Sequence, residues 1–198
     1  MRYIVSRYNH DISWLPEYSD DIIMYDRSEE KAVGNPEMLV IPVANKGSDI
    51  SDKFKFIIEN YNDLPDIAVY TKANLFKYIE KEEFNKIKNS QIFTPLISPN
   101  HKVYEPVCRY SEGLYQEINN YWYLGTHKAR YTKEIIEFFK MNERKYNTFA
   151  PGSNYILPKE NILKWPKETY IRLKHFLDWD VYPGDAQLME RNLYYLWS

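Results

Sequence analysis

The residues with the most chemical potential sit where short apolar runs give way to polar loops. The first such exit is Ser6-Arg7-Tyr8-Asn9. Tyr8 can lie flat on a nucleobase, and Ser6, Arg7 and Asn9 can hydrogen-bond to ribose or phosphate; the same four residues also make an ordinary polar loop. A later exit, Thr71-Lys72-Ala73-Asn74, pairs a cation with an amide oxygen. That pairing suits a phosphate and a hard divalent ion, which takes one or two protein oxygens and completes its shell with phosphate and water. A strand end with a solvated lysine is the plain alternative. Lys46 is a second cationic candidate, and His127, in Gly125-Thr126-His127-Lys128, offers a metal or phosphate contact, although a lone histidine is more often structural. Asp185 follows Pro183-Gly184 and is the type of group that takes a proton from a hydroxyl as general base. It serves equally as the cap of a helix.

Composition narrows what these groups can meet. The chain has 198 residues, 44% of them apolar, enough to bury a core as one domain over residues 1–198. Its formal charge of −2 supplies no clustered basic footprint for nucleic acid. Cys108 is the single cysteine, so an internal disulfide and a cysteine-based zinc site are excluded and a reducing, cytoplasmic setting fits. No apolar run approaches the roughly 20 residues of a membrane span, and the opening MRYIVSRYNHD has no secretory apolar region. The 17% aromatic content, with 19 tyrosines, gives flat surfaces with a polar handle that suit sugar rings and bases, or simply fill a core.

The elements that must position these loops alternate. Tyr3-Ile4-Val5, Ile22 to Tyr25, Met38 to Val43 and Ile67 to Tyr70 read as strands. Ile50, Phe54, Ile57 and Ile58 recur at helical spacing over 48–60, with Ser48 and Asp49 as caps. The spacing predicts further helices over 133–143, over 159–177 with a break at Pro166, and over 186–197. Residues 98–120 show no clear period. Strands alternating with a helix predict an α/β fold whose ligand sits outside the carboxyl ends of parallel strands. The apolar finish from Leu193 to Trp197 also admits a longer protein of which this is the N-terminal part.

Taken together, the loop motifs resemble nucleotide-sugar transferases of the GT-A fold. Ile22-Ile23-Met24-Tyr25-Asp26-Arg27-Ser28 is similar to the strand ending in Asp and Ser that meets uridine, and Asn45-Lys46-Gly47 to the Asn-x-Gly that opens a helix. Gly184-Asp185 with Arg191 partly matches the family's acidic motif and following Arg. Val5 to Leu15, Asn60 to Asp66, Gly152 to Leu157 and Glu190 to Trp197 resemble small glycosyltransferase domains encoded by chloroviruses, large DNA viruses of algae.

The resemblance implies a GT-A-like α/β fold with a central, mostly parallel mixed β-sheet flanked by α-helices. It implies metal-assisted transfer of a hexose-type sugar from a UDP-sugar donor to a glycan or glycoprotein acceptor, with Mn²⁺ or Mg²⁺ on the pyrophosphate, in viral capsid glycan synthesis in the host cytoplasm. Ser6, Arg7, Tyr8, Asn9, Asp26, Lys46, Lys72, Asn74, Gly152, Ser153 and Arg191 would hold the donor, Asn74 and His127 the metal. Asp185 and Glu190 would be the catalytic carboxylates, Asp185 as general base in an inverting reaction or a donor-sugar contact in a retaining one. Where the family carries Asp-x-Asp at the fourth strand, this sequence has Thr71-Lys72-Ala73-Asn74; its one literal Asp-x-Asp, Asp178-Trp179-Asp180, comes far too late. That departure supports a non-catalytic sugar- or nucleotide-binding module as the alternative. A nucleotidyltransferase fits less well because the first loop has no glycine, and a dinucleotide oxidoreductase is set aside because no Gly-x-Gly-x-x-Gly follows a strand.

Overall fold

The computed structural model describes residues 1–30, 32, 38–98, 108–111, 114–117, 125–141 and 148–198. In chain order these form β1 (Arg2–Arg7), β2 (Ile22–Asp26), β3 (Met38–Pro42), α1 (Ser48–Glu59), β4 (Ile67–Lys72), α2 (Lys81–Ile87), β5 (Thr94–Pro95), β6 (Cys108–Ser111), β7 (Leu114–Glu117), β8 (Gly125–Lys128), α3 (Thr132–Phe138), β9 (Tyr155–Pro158), α4 (Lys159–Ile162), α5 (Lys167–His175), α6 (Gly184–Glu190) and α7 (Leu193–Trp197).

Six strands make one mixed sheet in the order β3-β2-β1-β4-β9-β5, and β6, β7 and β8 make a separate three-stranded antiparallel sheet. The first four strands of the large sheet are parallel, whereas β9 runs antiparallel to both β4 and β5. The expected α/β fold with a mostly parallel mixed sheet and flanking helices is therefore present.

Both faces of the sheet are buried, because successive strand side chains point to opposite sides. Ile4, Tyr25, Ala68, Tyr70, Tyr155 and Leu157 face a core shared with Phe54 and Ile57 of α1, Tyr170 and Leu173 of α5, and Trp197. Tyr3, Val5, Met24, Val69 and Ile156 face the other way, onto Leu15, Leu75, Phe84 of α2 and Leu96. Helices thus cover one face, and α2 with the segments bearing Leu15, Leu75 and Leu96 covers the other. Burial on both sides explains why the strands read as continuous apolar runs rather than as alternating ones.

Several predicted boundaries shift for identifiable reasons. The stretch 159–177 divides into α4 and α5 with Pro166 at the N-cap of the second, as a residue without an N–H should. Helix α3 ends at Phe138, and Lys140 follows in a left-handed conformation (φ 49°). Residues 142–147, the end of that predicted helix, lie outside the described residues. The last predicted helix breaks at Arg191-Asn192 into α6 and α7. Gly47 holds the N-cap position of α1; Ser48 Oγ accepts the first-turn Ile50 N–H at 3.4 Å, as expected of a capping residue, whereas Asp49 turns to Lys53, Lys72 and Ser153. No described helix is long and apolar enough to cross a membrane.

Candidate functional site

The chain lays down β1, β2 and β3 to one side and then returns to place β4 on the other side of β1. Loops leaving β1 and β4 must therefore diverge, and the crevice between them is where open α/β sheets take ligands. The parallel register sets Ser6 beside Lys72 and Arg7 beside Asp26, so the carboxyl ends of all three strands reach one edge of the sheet.

A cleft opens there, enclosing about 160 Å³ and lined by Ser6, Tyr8, His10, Arg27, Asp49, Lys72, Asn74, Tyr78, Tyr182 and Glu190 among others. An enclosed volume of roughly 150 Å³ takes one benzene ring. The deep part thus holds a single ring or phosphate group, and a larger ligand must extend along the open side. Tyr8 is 40% exposed and Tyr182 57% exposed, so both present ring surface to solvent.

Beneath the cleft lies a set of fixed charges. Asp49 accepts from Lys53 Nζ at 2.5 Å, stands 3.0 Å from Lys72 Nζ and accepts from Ser153 Oγ. Lys53 is fully buried. Burial works against charge on Asp49, yet Lys53, Lys72 and the hydrogen bonds outweigh it and hold its carboxyl well below the usual range. Burial likewise opposes charge on Lys72, and Asp49, with Tyr78 and Glu190, more than compensates, so its ammonium persists beyond the ordinary lysine range. Beside this set, Arg27 makes a two-pronged pair with Asp52 (2.7 and 2.6 Å) and donates to the Lys46 carbonyl at 2.5 Å. His10 meets the Asn74 amide nitrogen at 3.2 Å. Burial, then Lys72, Lys77 and Arg7, lower the His10 pKa.

Backbone strain collects in the same place. Of the four described non-glycine residues with positive φ, Asn9 (53°) sits between cleft-lining Tyr8 and His10, Ser48 (58°) lines the cleft, and Ser153 (55°) binds Asp49. Such conformations cost about 1–3 kcal/mol each and cluster at sites where geometry serves function. Gly152, beside Ser153, has φ 77°, and a Cβ there would lie 2.7 Å from Asn154 Nδ2 and 2.7 Å from the Tyr78 ring. Gly152→Ala is therefore expected to lose about 1–3 kcal/mol and to push Tyr78 into the cleft. Urea unfolding checks this, and an unchanged midpoint would contradict it.

Of the residues expected to bind or catalyse, Ser6, Tyr8, Lys72, Asn74 and Glu190 come together on the cleft wall. Gly152, Ser153 and Arg191 stand just behind it. The Gly152 N–H donates to Glu190 Oε1 at 2.6 Å, Arg191 pairs with Glu190 Oε2, and the Arg191 guanidinium lies 4.4 Å above the Phe149 ring.

Other expected residues take different work. Arg7 donates to Asp26 at 3.0 Å, to Ser28 Oγ at 2.9 Å and to the Glu30 carbonyl at 3.1 Å, bracing the loop after β2. Asp26 is buried and also accepts the N–H groups of Ser28 and Ala32, so its oxygens organise that loop instead of facing a ligand. Asn9 donates its N–H to Ser28 Oγ at 2.7 Å. Lys46 contributes its carbonyl and leaves its side chain exposed.

Asp185 is the main correction. It is fully buried and accepts from the N–H of Arg130 and Tyr131, each at 2.9 Å, from Thr132 Oγ1 at 3.1 Å and from Trp179 Nε1 at 3.0 Å. Three of those donors, from Arg130, Tyr131 and Thr132, gather at the start of α3, so Asp185 caps a neighbouring helix and does not line the cleft. Burial raises its pKa, with the four hydrogen bonds opposing. His127, on β8, does not line the cleft either, and no three His, Cys, Asp or Glu side chains among the described residues group as metal ligands.

Sequence reading missed His10, Arg27, Asp49, Tyr78 and Tyr182. Only Asp49 carried a local signal, its i,i+4 spacing to Lys53. No curated protein and no solved structure matches the chain. A family model does match, over residues 3–198, and the chain accordingly belongs to the family described as a protein of unknown function, DUF3431.

Proposed function

We propose that the chain is a GT-A-like glycosyltransferase that moves a hexose-type sugar from a UDP-sugar to a glycan or glycoprotein acceptor. The observation that carries this reading is the convergence, at the crevice between β1 and β4, of a lysine held beside Asp49 with an open tyrosine face. Lys72 suits a pyrophosphate and Tyr8 a base, and the loops bearing them diverge from adjacent strands, so one extended ligand can meet both. The clustered αL residues and the buried ion pairs fix that geometry in advance, which spares a ligand the cost of ordering it.

Transfer also needs a base for the acceptor hydroxyl. Glu190 takes that role in this reading, since it lines the cleft while Asp185 does not. Its Oε1 meets the Gly152 N–H, and Arg191 keeps the carboxylate oriented. Glu190→Gln should therefore retain UDP binding and lose transfer.

Calorimetric titration with UDP, GDP and CMP tests the donor class, followed by hydrolysis of UDP-hexoses. Tight binding of UDP over the other two supports the proposal. Absence of binding by any of the three would remove it. Binding of UDP without donor hydrolysis or transfer would leave a nucleotide-binding module.

A further inference from the structure

We infer that Lys72 takes the place of a divalent cation in this cleft, so that a nucleoside diphosphate binds there without metal. The inference rests on reading the cleft as a nucleotide-sugar site and concerns how that site meets the diphosphate.

The residues present do not fit Mg²⁺ or Mn²⁺. Such ions take hard oxygens and in phosphate sites are held by one or two carboxylates. Two carboxylates line the described cleft, Asp49 and Glu190. Asp49 is already shared by Lys53, Lys72 and Ser153, and Glu190 by Gly152 and Arg191. An ion bound through Asp49 would have to displace an ammonium 3.0 Å from Oδ1 and sit against a second one with no route to solvent.

Asn74 offers one neutral oxygen. Its Oδ1 is buried and has no hydrogen-bond partner, while its nitrogen meets His10. A single amide oxygen beside a fixed ammonium is a poor site for a second cation.

The charges behind the wall point the same way. Among the described groups in and just behind the cleft, Arg27, Lys53, Lys72 and Arg191 stand against Asp49, Asp52 and Glu190, four cations to three anions. Asp49 then has a definable role. Clamped between Lys53 and Ser153, it is a stationary anion that holds Lys72 in position and charged. The lysine stands at the end of β4. A fixed ammonium neutralises the diphosphate directly, as a point charge with three donors.

The test is calorimetry with UDP and, separately, inorganic pyrophosphate, each in EDTA and in Mn²⁺. We expect both ligands to bind in EDTA, with affinities changed less than about threefold by Mn²⁺, since loss of a true metal ligand set costs far more. Lys72→Met should weaken both ligands roughly ten- to hundred-fold in EDTA, the scale of one charge-assisted hydrogen bond, while Lys72→Arg keeps most of the affinity. Circular dichroism establishes that each variant is folded. Should Lys72→Met fail to fold, the wild-type comparison of EDTA with Mn²⁺ still decides whether a metal is needed, and Lys72→Gln serves as the test of the lysine, with the same loss expected. Binding of UDP only with Mn²⁺ overturns the inference and leaves the nucleotide reading standing. Metal-free pyrophosphate binding that depends on Lys72, with UDP no tighter, keeps the lysine site and removes the nucleotide. Failure of both ligands under both conditions overturns both, as does full metal-free affinity in a folded Lys72→Met for the role of the lysine.

Discussion

Alanine at position 49 is expected to lose about 3–5 kcal/mol of folding stability, because it strands the fully buried ammonium of Lys53 without its carboxylate. Packing alone does not set that figure: an aspartate side chain contributes little apolar area, and the loss comes from leaving a charge unpaired where water cannot reach it. The sign of the pH dependence follows from the shifts. The folded pKa of Asp49 lies below its ordinary value of 3.8, since its cationic partners outweigh burial. Its contribution is complete above that value and disappears as pH falls through the lower, folded one.

Lys53 behaves in the opposite sense. Burial lowers its pKa from 10.5 and Asp49 opposes the fall. In Asp49→Ala the larger part of that opposition is gone and only the more weakly acting Asp52 remains, so the unfolded chain binds a proton that the folded chain binds less well. The variant should accordingly gain stability as pH rises toward 10.5, which the wild type should do much less. Adding Lys53→Met removes the stranded charge and should recover much of the loss and flatten the alkaline gain, as replacement of buried pairs by apolar groups commonly does. Urea unfolding across pH measures all three chains. A midpoint for Asp49→Ala equal to that of the wild type at neutral pH would show that Lys53 is not stranded, and the account of the buried cluster would fall.

How this cluster forms also explains what the sequence could disclose. Strand ends were legible because apolar runs stop where chain leaves a doubly buried sheet, and parallel register then brings the stops together. Ser6, Tyr8, Lys72 and Asn74 were found for that reason alone. Asp49 was read as a helix cap, a local role, since the residues that define it lie far off: Ser153 is 104 positions away. Arg7 and Asp26 were credited with ligand binding because their types and loop positions allow it. They pair with each other across neighbouring strands, and only the register reveals that. Strand β9, which pairs antiparallel with the edge of β4 away from β1, is four residues long and buried on both faces. Its apolar run is too short to separate a strand from a helical turn by period.

Asp185 brings the same difficulty to the question of catalysis, and here stability and turnover give opposite answers. An aspartate two residues past a proline, at the opening of a helix, fits both a general base and a cap. The geometry places four donors on its two oxygens, two of them backbone N–H groups at the start of α3, which has no side-chain cap from its own N-cap residue. Asp185→Asn preserves size but turns an NH₂ toward one pair of those donors, leaving buried hydrogen-bonding groups unmatched. A loss of about 2–4 kcal/mol is expected, with UDP binding retained by the folded fraction. A general base would respond in reverse, keeping its unfolding midpoint while transfer collapses. The pH profile separates the cases further. Burial raises the Asp185 pKa above 3.8, so the wild-type fold holds this proton more tightly than the unfolded chain does. That contribution to stability is greatest at low pH and falls as pH climbs through the folded value. Asp185→Asn should lack this step altogether, while Glu190→Gln should keep it and lose transfer, so that the residue beside the cleft and the residue beneath α3 are told apart by two measurements on the same pair of variants.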